Sequence, residues 1–304
     1  MKVVALAGGT GSAKLLIGLS KLPIDLSVIA NPGDNVWMYG VYVCPDIDIA
    51  CYSLAGIADK VRGWGVQDDT FETLASLSRL GLDTWFKLGD RDFATCLART
   101  TMIRRGLSLT AATKRIRILL GVKQEILPAT DEPLETRIRT ERGESHLQEF
   151  WVRDHGKPRV RGVRYEGSKA AKVSEDVGNA LAEADKIVVC PANPITSIGP
   201  MLAVPGFSDL LARARSEVVA VSPMEGKAPF SGPALKLMKA EGIRSDSLGV
   251  AKLYSRFLDR ILISKRDAAM KKEIDSIGVS CTVADIRMKT DEDQTRLAGE
   301  LLRT

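Results

Sequence analysis

Short apolar runs alternate with helix-like periodicity at both ends of the chain. The first apolar run, Lys2–Ala7, leads into glycine-rich residues 8–11, and a helical pattern over Ser12–Lys21 follows. A second strand is predicted over Asp25–Asn31. This alternation is typical of a mostly parallel sheet with helices on both faces, because crossover helices join parallel strands and cover them. The pattern therefore predicts an α/β fold.

The second half of the chain repeats the alternation. Helices are predicted over Ser174–Ala184, Ser231–Glu241, Ser247–Phe257, Arg266–Ser276 and Thr290–Leu302. Strands are predicted over Lys186–Cys190, Val218–Val221, Arg260–Ser264 and Ser280–Ala284. The strands at both ends of the chain are expected to form one sheet.

The middle of the chain has a different pattern. Residues from about 50 to 125 are mostly helical in periodicity, including Thr70–Leu80 and Ser108–Leu120. Strands or ribbon edges are then predicted over Leu134–Thr140, Leu147–Val152 and Arg159–Tyr165. We interpret residues 1–304 as a single α/β domain, with a helical and β-ribbon insertion at about 50–170 that forms one wall of a site.

Composition and charge narrow the functional classes. The 304 residues are 45% hydrophobic and 27% charged, which is ordinary for a globular protein. The sequence contains no run of about twenty apolar residues and no secretory signal pattern, so no membrane segment is predicted and a cytoplasmic location is expected. A net charge of +5, spread along the chain, does not favour nucleic-acid binding but suits small anionic substrates.

Metal-binding motifs based on cysteine or histidine are not indicated. The five cysteines are scattered without a CxxC motif, and the chain has two histidines. A zinc site or a histidine-based catalytic triad is therefore not favoured, and buried thiols are expected.

The segment GGTGSAK, Gly8–Lys14, has the character of a phosphate-binding loop. It is not a dinucleotide fingerprint, because Lys14 occupies the third glycine position and the second strand ends at Asn31 rather than at an acid. It also lacks the Gly-Lys-Ser/Thr triplet of a Walker A loop. Glycines let the backbone approach an anion at a helix N-terminus. The candidates are Gly8, Gly9, Thr10, Gly11 and Lys14, although Lys14 is equally compatible with a solvated helix position.

Polar loops also follow other predicted strands. NPGDN brings Asp34 after the second strand, in a turn that could equally be purely structural. PANPITSIGP contains Asn193 and Ser197, and PMEGKAPFSGPA contains Gly226, Lys227 and Ser231. Ligands of open α/β sheets bind outside the carboxyl ends of the strands, so these loops are predicted to converge on one nucleotide-sized site.

Two further segments carry candidate charged groups. In CPDID, Asp46 and Asp48 would share one face of an extended segment, where they repel unless a proton or a cation such as Mg²⁺ lies between them. The alternative is that one of them caps a helix beginning near Ala50. In LGDRD and the preceding Lys87, Arg91 and Lys87 could clamp an anion while Asp90 or Asp92 orients a hydroxyl, or the turn could be self-neutralised.

Basic residues after this turn are interpreted differently. Arg99, Arg104 and Arg105 follow on a predicted helix and are expected mostly to face solvent.

Taken together, these motifs resemble the 2-phospho-L-lactate transferase family. The resemblance runs from Val3 to about Leu302 and rests on AGGTGSAKLL, CPDID, RGWGVQDDTF, LGDRD, PANPITSIGP and SPMEGKAPFSGP. It implies a Rossmann-like core and a homodimer. It also implies transfer of a phospholactyl group, carried as lactyl diphosphoguanosine, to the ribityl hydroxyl of 7,8-didemethyl-8-hydroxy-5-deazariboflavin. GMP leaves and Mg²⁺ is required in this reaction, which belongs to coenzyme F420 biosynthesis.

The resemblance also assigns roles to individual residues. It implies that Asp48 and Lys87 contact the deazaflavin, and that the glycine loop, Asn193 and residues 226–231 hold the guanosine diphosphate portion. As a hypothesis, Asp48 orients the ribityl hydroxyl or accepts its proton, and Asp46, with Asp34, holds Mg²⁺. NPGDN departs from the family at Pro32 and Asn35, which leaves Asp34 as the acid of that turn.

Two other functions remain open at this point. One is a nucleotide-sugar-binding regulatory protein of the gluconeogenesis-factor type, which begins with a similar glycine loop. The other is an NAD-dependent oxidoreductase, which the missing third glycine argues against. The sequence does not decide whether a transferase donor would carry lactate, enolpyruvate or glycerate.

Overall fold

The computed structural model describes residues 1–226, 228–229 and 232–303. Within them the strands are β1 (Lys2–Ala7), β2 (Asp25–Ala30), β3 (Val36–Met38), β4 (Val41–Val43), β5 (Glu125–Pro128), β6 (Glu135–Thr140), β7 (Gly143–His146), β8 (Val160–Glu166), β9 (Lys186–Val189), β10 (Glu217–Val221), β11 (Met224–Glu225), β12 (Ala228–Pro229), β13 (Arg260–Ser264) and β14 (Ser280–Ala284).

Helices connect most of these strands. They are α1 (Gly9–Ser20), α2 (Pro45–Leu54), α3 (Glu72–Arg79), α4 (Asp90–Arg104), α5 (Leu109–Leu119), α6 (Glu175–Glu183), α7 (Gly199–Leu202), α8 (Phe207–Ala212), α9 (Ala234–Ala240), α10 (Ser247–Tyr254), α11 (Lys271–Asp275) and α12 (Asp291–Leu302). Two π-helical turns, Glu149–Arg153 and Pro194–Ile198, and a 3₁₀ helix, Lys265–Met270, complete the description. Among the described residues, no helix is both long enough and apolar enough to cross a bilayer.

A seven-stranded parallel sheet organises the fold. Its order is β14-β13-β10-β9-β1-β2-β5, and every neighbouring pair is parallel. The chain extends from β1 through β2 to β5 on one side, and from β9 to β14 on the other. Strand order therefore reverses between β1 and β9, and ligands of such sheets bind in the crevice at this switch point. The predicted Rossmann-like α/β fold is confirmed.

Both faces of the sheet are buried. Along β1, Val4 and Leu6 belong to the hydrophobic core on one face, whereas Val3 and Ala5 belong to the core on the other. Successive side chains of a strand point to opposite faces, so a run of apolar residues is what a strand covered on both sides requires. The short apolar runs of the sequence follow from this burial.

The middle of the chain departs from the predicted insertion. β5 lies within residues 50–170, yet it forms an edge of the central sheet through its pairing with β2. The chain between β2 and β5 contains the β3-β4 hairpin and four helices, and the chain after β5 forms a separate antiparallel sheet of order β7-β6-β8. The helical and β-ribbon portions are thus divided by a core strand that the sequence pattern did not reveal.

Some predicted elements were wrong in type or boundary. Leu147–Val152 was predicted as a strand, but Glu149–Arg153 forms a π-helical turn in which the Glu149 carboxylate accepts the His146 N–H at 3.0 Å. α1 begins at Gly9, so the glycine loop forms the first helical turn. α2 begins at Pro45, a residue well suited to the first position of a helix, so CPDID is helical rather than extended.

Candidate active site

The glycines after β1 allow close packing at the switch point. A Cβ on Gly8 would lie 2.6 Å from the Ser197 Cβ, and one on Gly11 would lie 2.3 Å from the Pro191 carbonyl oxygen. Gly9 has a φ of +70°, which glycine adopts without strain. Because Gly8 and Gly11 have no side chain, the N-terminus of α1 packs directly against the loop that follows β9.

Two carboxylates lie beneath this helix start without a basic partner in the described ion pairs. The Gly9 N–H donates to Asp46 Oδ1 at 2.8 Å. The Asn31 amide nitrogen donates to Asp46 Oδ2 at 2.8 Å, to Asp34 Oδ1 at 3.2 Å and to the Thr196 carbonyl at 3.0 Å. That amide has two hydrogens for three acceptors, so the carboxylate pair keeps unused acceptor capacity.

The surroundings of this pair disfavour two negative charges. Burial raises the pKa of Asp46 to about 6, and the Asn31 and Gly9 hydrogen bonds oppose that shift. Burial and then the Asp46 charge raise the pKa of Asp34, which the Asn31 hydrogen bond counteracts. Such a pair is stabilised by a proton or by a cation.

Asp48 faces a second buried cluster. Residues two apart on a helix do not face the same way, so the predicted common face of Asp46 and Asp48 was wrong. Asp48 forms a two-pronged ion pair with Arg99, whose Nη1 donates to Asp48 Oδ2 at 3.0 Å. Arg99 is 0% exposed, so the expectation that it faces solvent was also wrong.

Asp92 and Cys96 complete this second cluster. Oxygens of Asp48 and Asp92 and the Cys96 Sγ all lie within 4.8 Å of one another. That spacing could suit a metal, but Arg99 already supplies positive charge to Asp48. The Tyr52 hydroxyl donates to Asp92 Oδ1 at 2.8 Å.

A cavity of about 350 Å³ joins these clusters to an aromatic wall. Its apolar and aromatic lining includes Val43, Tyr52, Trp64, Phe86, Leu88 and Trp151. Its polar lining includes Gly9, Thr10, Asp34, Asp46, Asp48 and Asp92, together with Lys87. Trp64 and Trp151 remain 39% and 43% exposed, which leaves ring surface available to a ligand.

Two further depressions adjoin the glycine loop. One, of about 280 Å³, shares Gly9, Thr10, Asp34 and Asp46 with the aromatic cavity and extends to Asn193 and Ser197. The other, of about 430 Å³, contains Thr10, Gly11, Lys14, Arg287 and Lys289. Thr10 lines all three compartments, so an aromatic cavity and a basic depression both adjoin the glycine loop.

Comparison with known proteins identifies the family. A family model described as 2-phospho-L-lactate transferase CofD matches residues 3–298. The chain belongs to the CofD family. A 2-phospho-L-lactate transferase from Methanosarcina acetivorans is 41% identical over 298 residues, which cover 97% of this chain and 96% of the relative.

Two further relatives show that similar family members are named for different donor acids. A 2-phospho-L-lactate transferase from Methanopyrus kandleri is 39% identical and covers 100% of this chain and 97% of the relative. A protein from Streptomyces griseus, 39% identical with 97% and 95% coverage, is named phosphoenolpyruvate transferase. These relationships support a transferase of coenzyme F420 biosynthesis with small-molecule substrates.

The fold extends to more distant proteins. A crystal structure of a UPF0052-family protein from Bacillus halodurans matches with a TM-score of 0.69 and 16% identity, covering 99% of each chain. At that identity the match supports the fold alone.

The structure separates the predicted CofD site residues into groups. Gly9, Thr10, Asp34, Asp46, Asp48 and Lys87 line the aromatic cavity. Gly8, Gly11, Asn193 and Ser197 line the adjoining compartment, and Lys14 lines the basic one. Their roles in binding and catalysis stay predictions.

Among the described residues, Asp90, Arg91 and Gly226 do not line these compartments. The Asp90 carboxylate accepts the backbone N–H groups of Glu72 and Thr73 at 3.0 and 2.9 Å, and so caps α3. The Arg91 side chain is exposed, and its Nη1 donates to the Gln67 carbonyl at 3.4 Å. Gly226 donates its N–H to Asp267, and Lys227 and Ser231 lie outside the described residues. The same loop nevertheless reaches the site, because Glu225 lines the basic compartment and Gly232 lines the one beside Asn193.

Sequence reasoning missed Arg99 and the aromatic walls. Asp92, Cys96 and Arg99 are spaced i, i+4 and i+7, which places them on one face of α4. That spacing was a usable signal, because an acid, a thiol and a base on one helical face indicate a buried polar stripe. Trp64 and Trp151 lie in loops or turns without apolar periodicity, so the hydrophobic pattern does not identify them as lining a site.

Proposed function

We propose that this CofD-family protein transfers a 2-phospho-three-carbon-acid group from a guanylyl diphosphate donor to the ribityl hydroxyl of 7,8-didemethyl-8-hydroxy-5-deazariboflavin. GMP is released, and the product belongs to coenzyme F420 biosynthesis. The observation that carries the proposal is that the aromatic cavity and the glycine-loop compartment share Gly9, Thr10, Asp34 and Asp46. A ring and a diphosphate bound in the two compartments would meet over one acidic pair.

The donor diphosphate fits the start of α1. The N-terminus of a helix offers unpaired N–H groups and a positive partial charge to an anion. Lys14 in the basic compartment adds a cation beside this turn, with Arg287 and Lys289 across the same depression. The nucleotide part of the donor would extend from the turn along these residues and Asn193.

The acceptor fits the aromatic cavity. Trp64, Phe86 and Trp151 offer flat apolar surface to a deazaflavin ring, and the ribityl chain would lead from them toward Asp46. Lys87 and Asp48 line the same cavity and would bind polar atoms of the acceptor. Because both substrates are held at once, the hydroxyl is positioned for in-line attack on phosphorus.

Asp34 and Asp46 fit a magnesium ion. Both offer hard carboxylate oxygens with unused acceptor capacity, and neither takes part in an ion pair of the described residues. When bound, Mg²⁺ would supply charge neutralisation at the diphosphate. Gly9 and Asn31 hold the two carboxylates in place through the hydrogen bonds described above.

The acid carried by the donor remains to be chosen among lactate, enolpyruvate and glycerate. Relatives of almost equal identity are named for lactate and for phosphoenolpyruvate. These acids differ by a few atoms, so the choice requires experiment.

Incubation with deazaflavin, Mg²⁺ and each guanylyl donor tests the proposal. GMP release that requires both the deazaflavin and Mg²⁺ is expected for one donor above the others. Omission of the deazaflavin is the matched control for donor hydrolysis. Binding of a donor without GMP release in any mixture would contradict transfer and support a nucleotide-binding protein.

A further inference from the structure

Two carboxylates and one guanidinium face each other beside the aromatic cavity. Asp48 and Asp92 are 4% and 8% exposed, and Arg99 is fully buried. With both acids ionised, the group would carry one uncompensated negative charge in a region shielded from water. A buried excess charge is costly, so one of these acids is the natural place for a mobile proton.

Arg99 distinguishes the two acids. It donates through both terminal nitrogens to the two oxygens of Asp48, an arrangement that fixes the orientation of that carboxylate. Asp92 has no ion-pair partner in the described residues, and its side-chain hydrogen bond is the one from the neutral Tyr52 hydroxyl. Arg99 therefore fixes the Asp48 carboxylate at both oxygens, whereas no cation holds Asp92 in this way among the described residues.

The charged and titratable groups around Asp92 come from three elements, and the acids among them favour its protonated form. From α2 it faces Asp48 and Tyr52, from α4 Cys96 and Arg99, and from the loop before α3 Asp69. Lys87 and Arg62 lie elsewhere in the cavity lining. Burial, followed by the Asp48 charge, raises the pKa of Asp92 to about 7, although Tyr52 and Arg99 oppose the shift.

The position of Asp92 also relates it to the phosphate-binding turn. In the segment RGWG, a Cβ on Gly63 would lie 3.6 Å from Thr10 Cγ2, and one on Gly65 would lie 3.6 Å from Asp92 Oδ2. Asp92 and Thr10 are thus separated by one short turn whose middle residue, Trp64, lines the cavity. A chain-like alcohol lying along Trp64 would reach both.

We propose that Asp92 accepts the proton of the attacking hydroxyl and that Arg99 is a positioning residue that holds the neighbouring Asp48 carboxylate in place. The inference rests on the proposed function. The hydroxyl oxygen forms a bond to the donor phosphorus beside the acid, and the anhydride bond to GMP breaks with its electron pair on the GMP oxygen. The hydroxyl proton passes to the Asp92 carboxylate and afterwards to water.

The pH dependence of turnover tests this role. Only ionised Asp92 accepts a proton, so kcat is expected to rise about tenfold per pH unit below its pKa and to level off above it. Asp92→Asn should lower the maximal kcat reached at high pH roughly 10²- to 10⁴-fold, and it should abolish the rise of kcat with pH (the pH limb). Asp176→Asn changes an exposed acid in the first turn of α6, which lines none of the three compartments, and should leave both features unchanged.

Tyr52→Phe provides a second variant that preserves shape. Loss of its hydrogen bond to the carboxylate should move the pH limb upward while retaining most of the plateau rate. A limb that is unchanged in both Asp92→Asn and Tyr52→Phe would overturn the assignment. So would an Asp92→Asn enzyme with kcat within threefold of wild type.

Infrared titration of the free protein separates this inference from the reaction itself. In the wild type, one component of the carbonyl stretch of protonated carboxyl groups should disappear as pH rises through 7. This component should be missing in Asp92→Asn, whereas the component of Asp46, whose pKa is about 6, should remain. The same change in both proteins would refute Asp92 as the titrating group. Wild-type protein that shows the infrared change but releases no GMP with any donor would instead refute the proposed function, and the proton-transfer step with it.

Discussion

The amino ends of the central strands carry charges that satisfy one another, whereas the carboxyl ends carry charges that do not. Three neighbouring strands, β9, β10 and β13, begin with Lys186, Glu217 and Arg260. The Glu217 carboxylate lies 2.7 Å from Lys186 Nζ and 2.6 Å from Arg260 Nε. At the other end, Asp34 and Asp46 share one Asn31 amide and form no ion pair in the described residues.

The two ends of the sheet differ in how far neighbouring groups compensate a buried carboxylate. Burial alone would raise the pKa of Glu217, but hydrogen bonds from Arg260 and Lys186 hold it below its ordinary value. Burial raises the pKa of Asp46 to about 6, because its hydrogen bonds compensate only part of the cost. An unbalanced pair that lines a cavity indicates a site where a ligand completes the balance.

The largest effect on turnover is expected at Asp46, beside the carboxyl ends of the central strands. Asp46→Asn keeps the side-chain shape but removes the charge proposed to hold Mg²⁺, so turnover should fall roughly 10²- to 10³-fold. Steady-state GMP release measures it, with Asp25→Asn at the exposed amino end of β2 as the matched control. A variant with near-normal turnover would show that the acidic pair does not serve the reaction.

A smaller effect is expected from the cations near α4. Lys87 lines the cavity and is exposed, so Lys87→Gln should weaken deazaflavin binding about threefold to fivefold in a fluorescence titration. Arg91→Gln changes a cation four positions later whose side chain lies outside the cavity, and it should have no such effect. Equal weakening of deazaflavin binding by both variants would instead support the prediction that Lys87 and Arg91 together clamp an anion.

The smallest effect on activity is expected at the balanced end. Glu217→Gln should leave kcat unchanged and lower the free energy of unfolding by about 1–2 kcal/mol at neutral pH. The folded pKa of Glu217 is depressed, so its stabilising contribution is present above the unfolded value of about 4.3 and is lost as pH falls through the folded pKa. Urea melts of both proteins at pH 7 and pH 3 check this; a difference that is as large at pH 3 as at pH 7 would contradict it.

Much of the site could be predicted from local sequence. Alternating apolar runs identified the parallel sheet, and the loops at the carboxyl ends of β1 and β9 place Gly9 and Asn193 in one compartment, as expected. These predictions succeeded because strand burial and the switch point are properties of chain order and periodicity.

Predictions failed where distant contacts decide the outcome. Asp46 and Asp48 reach the same cavity from a helix, since Pro45 begins α2 in a segment interpreted as extended. β5 is a four-residue strand that is recognisable mainly through its pairing with β2. Arg99 is buried because Asp48, 51 residues away, compensates its charge, and no local pattern reports such a partner.

Calorimetric titration of Mg²⁺ into the GDP-saturated protein tests the central claim most directly. If the acidic pair beneath the glycine turn is completed by a cation, the wild type binds one Mg²⁺ per chain and Asp46→Asn shows no saturable binding over the same range. Indistinguishable Mg²⁺ binding by the two proteins would contradict that claim.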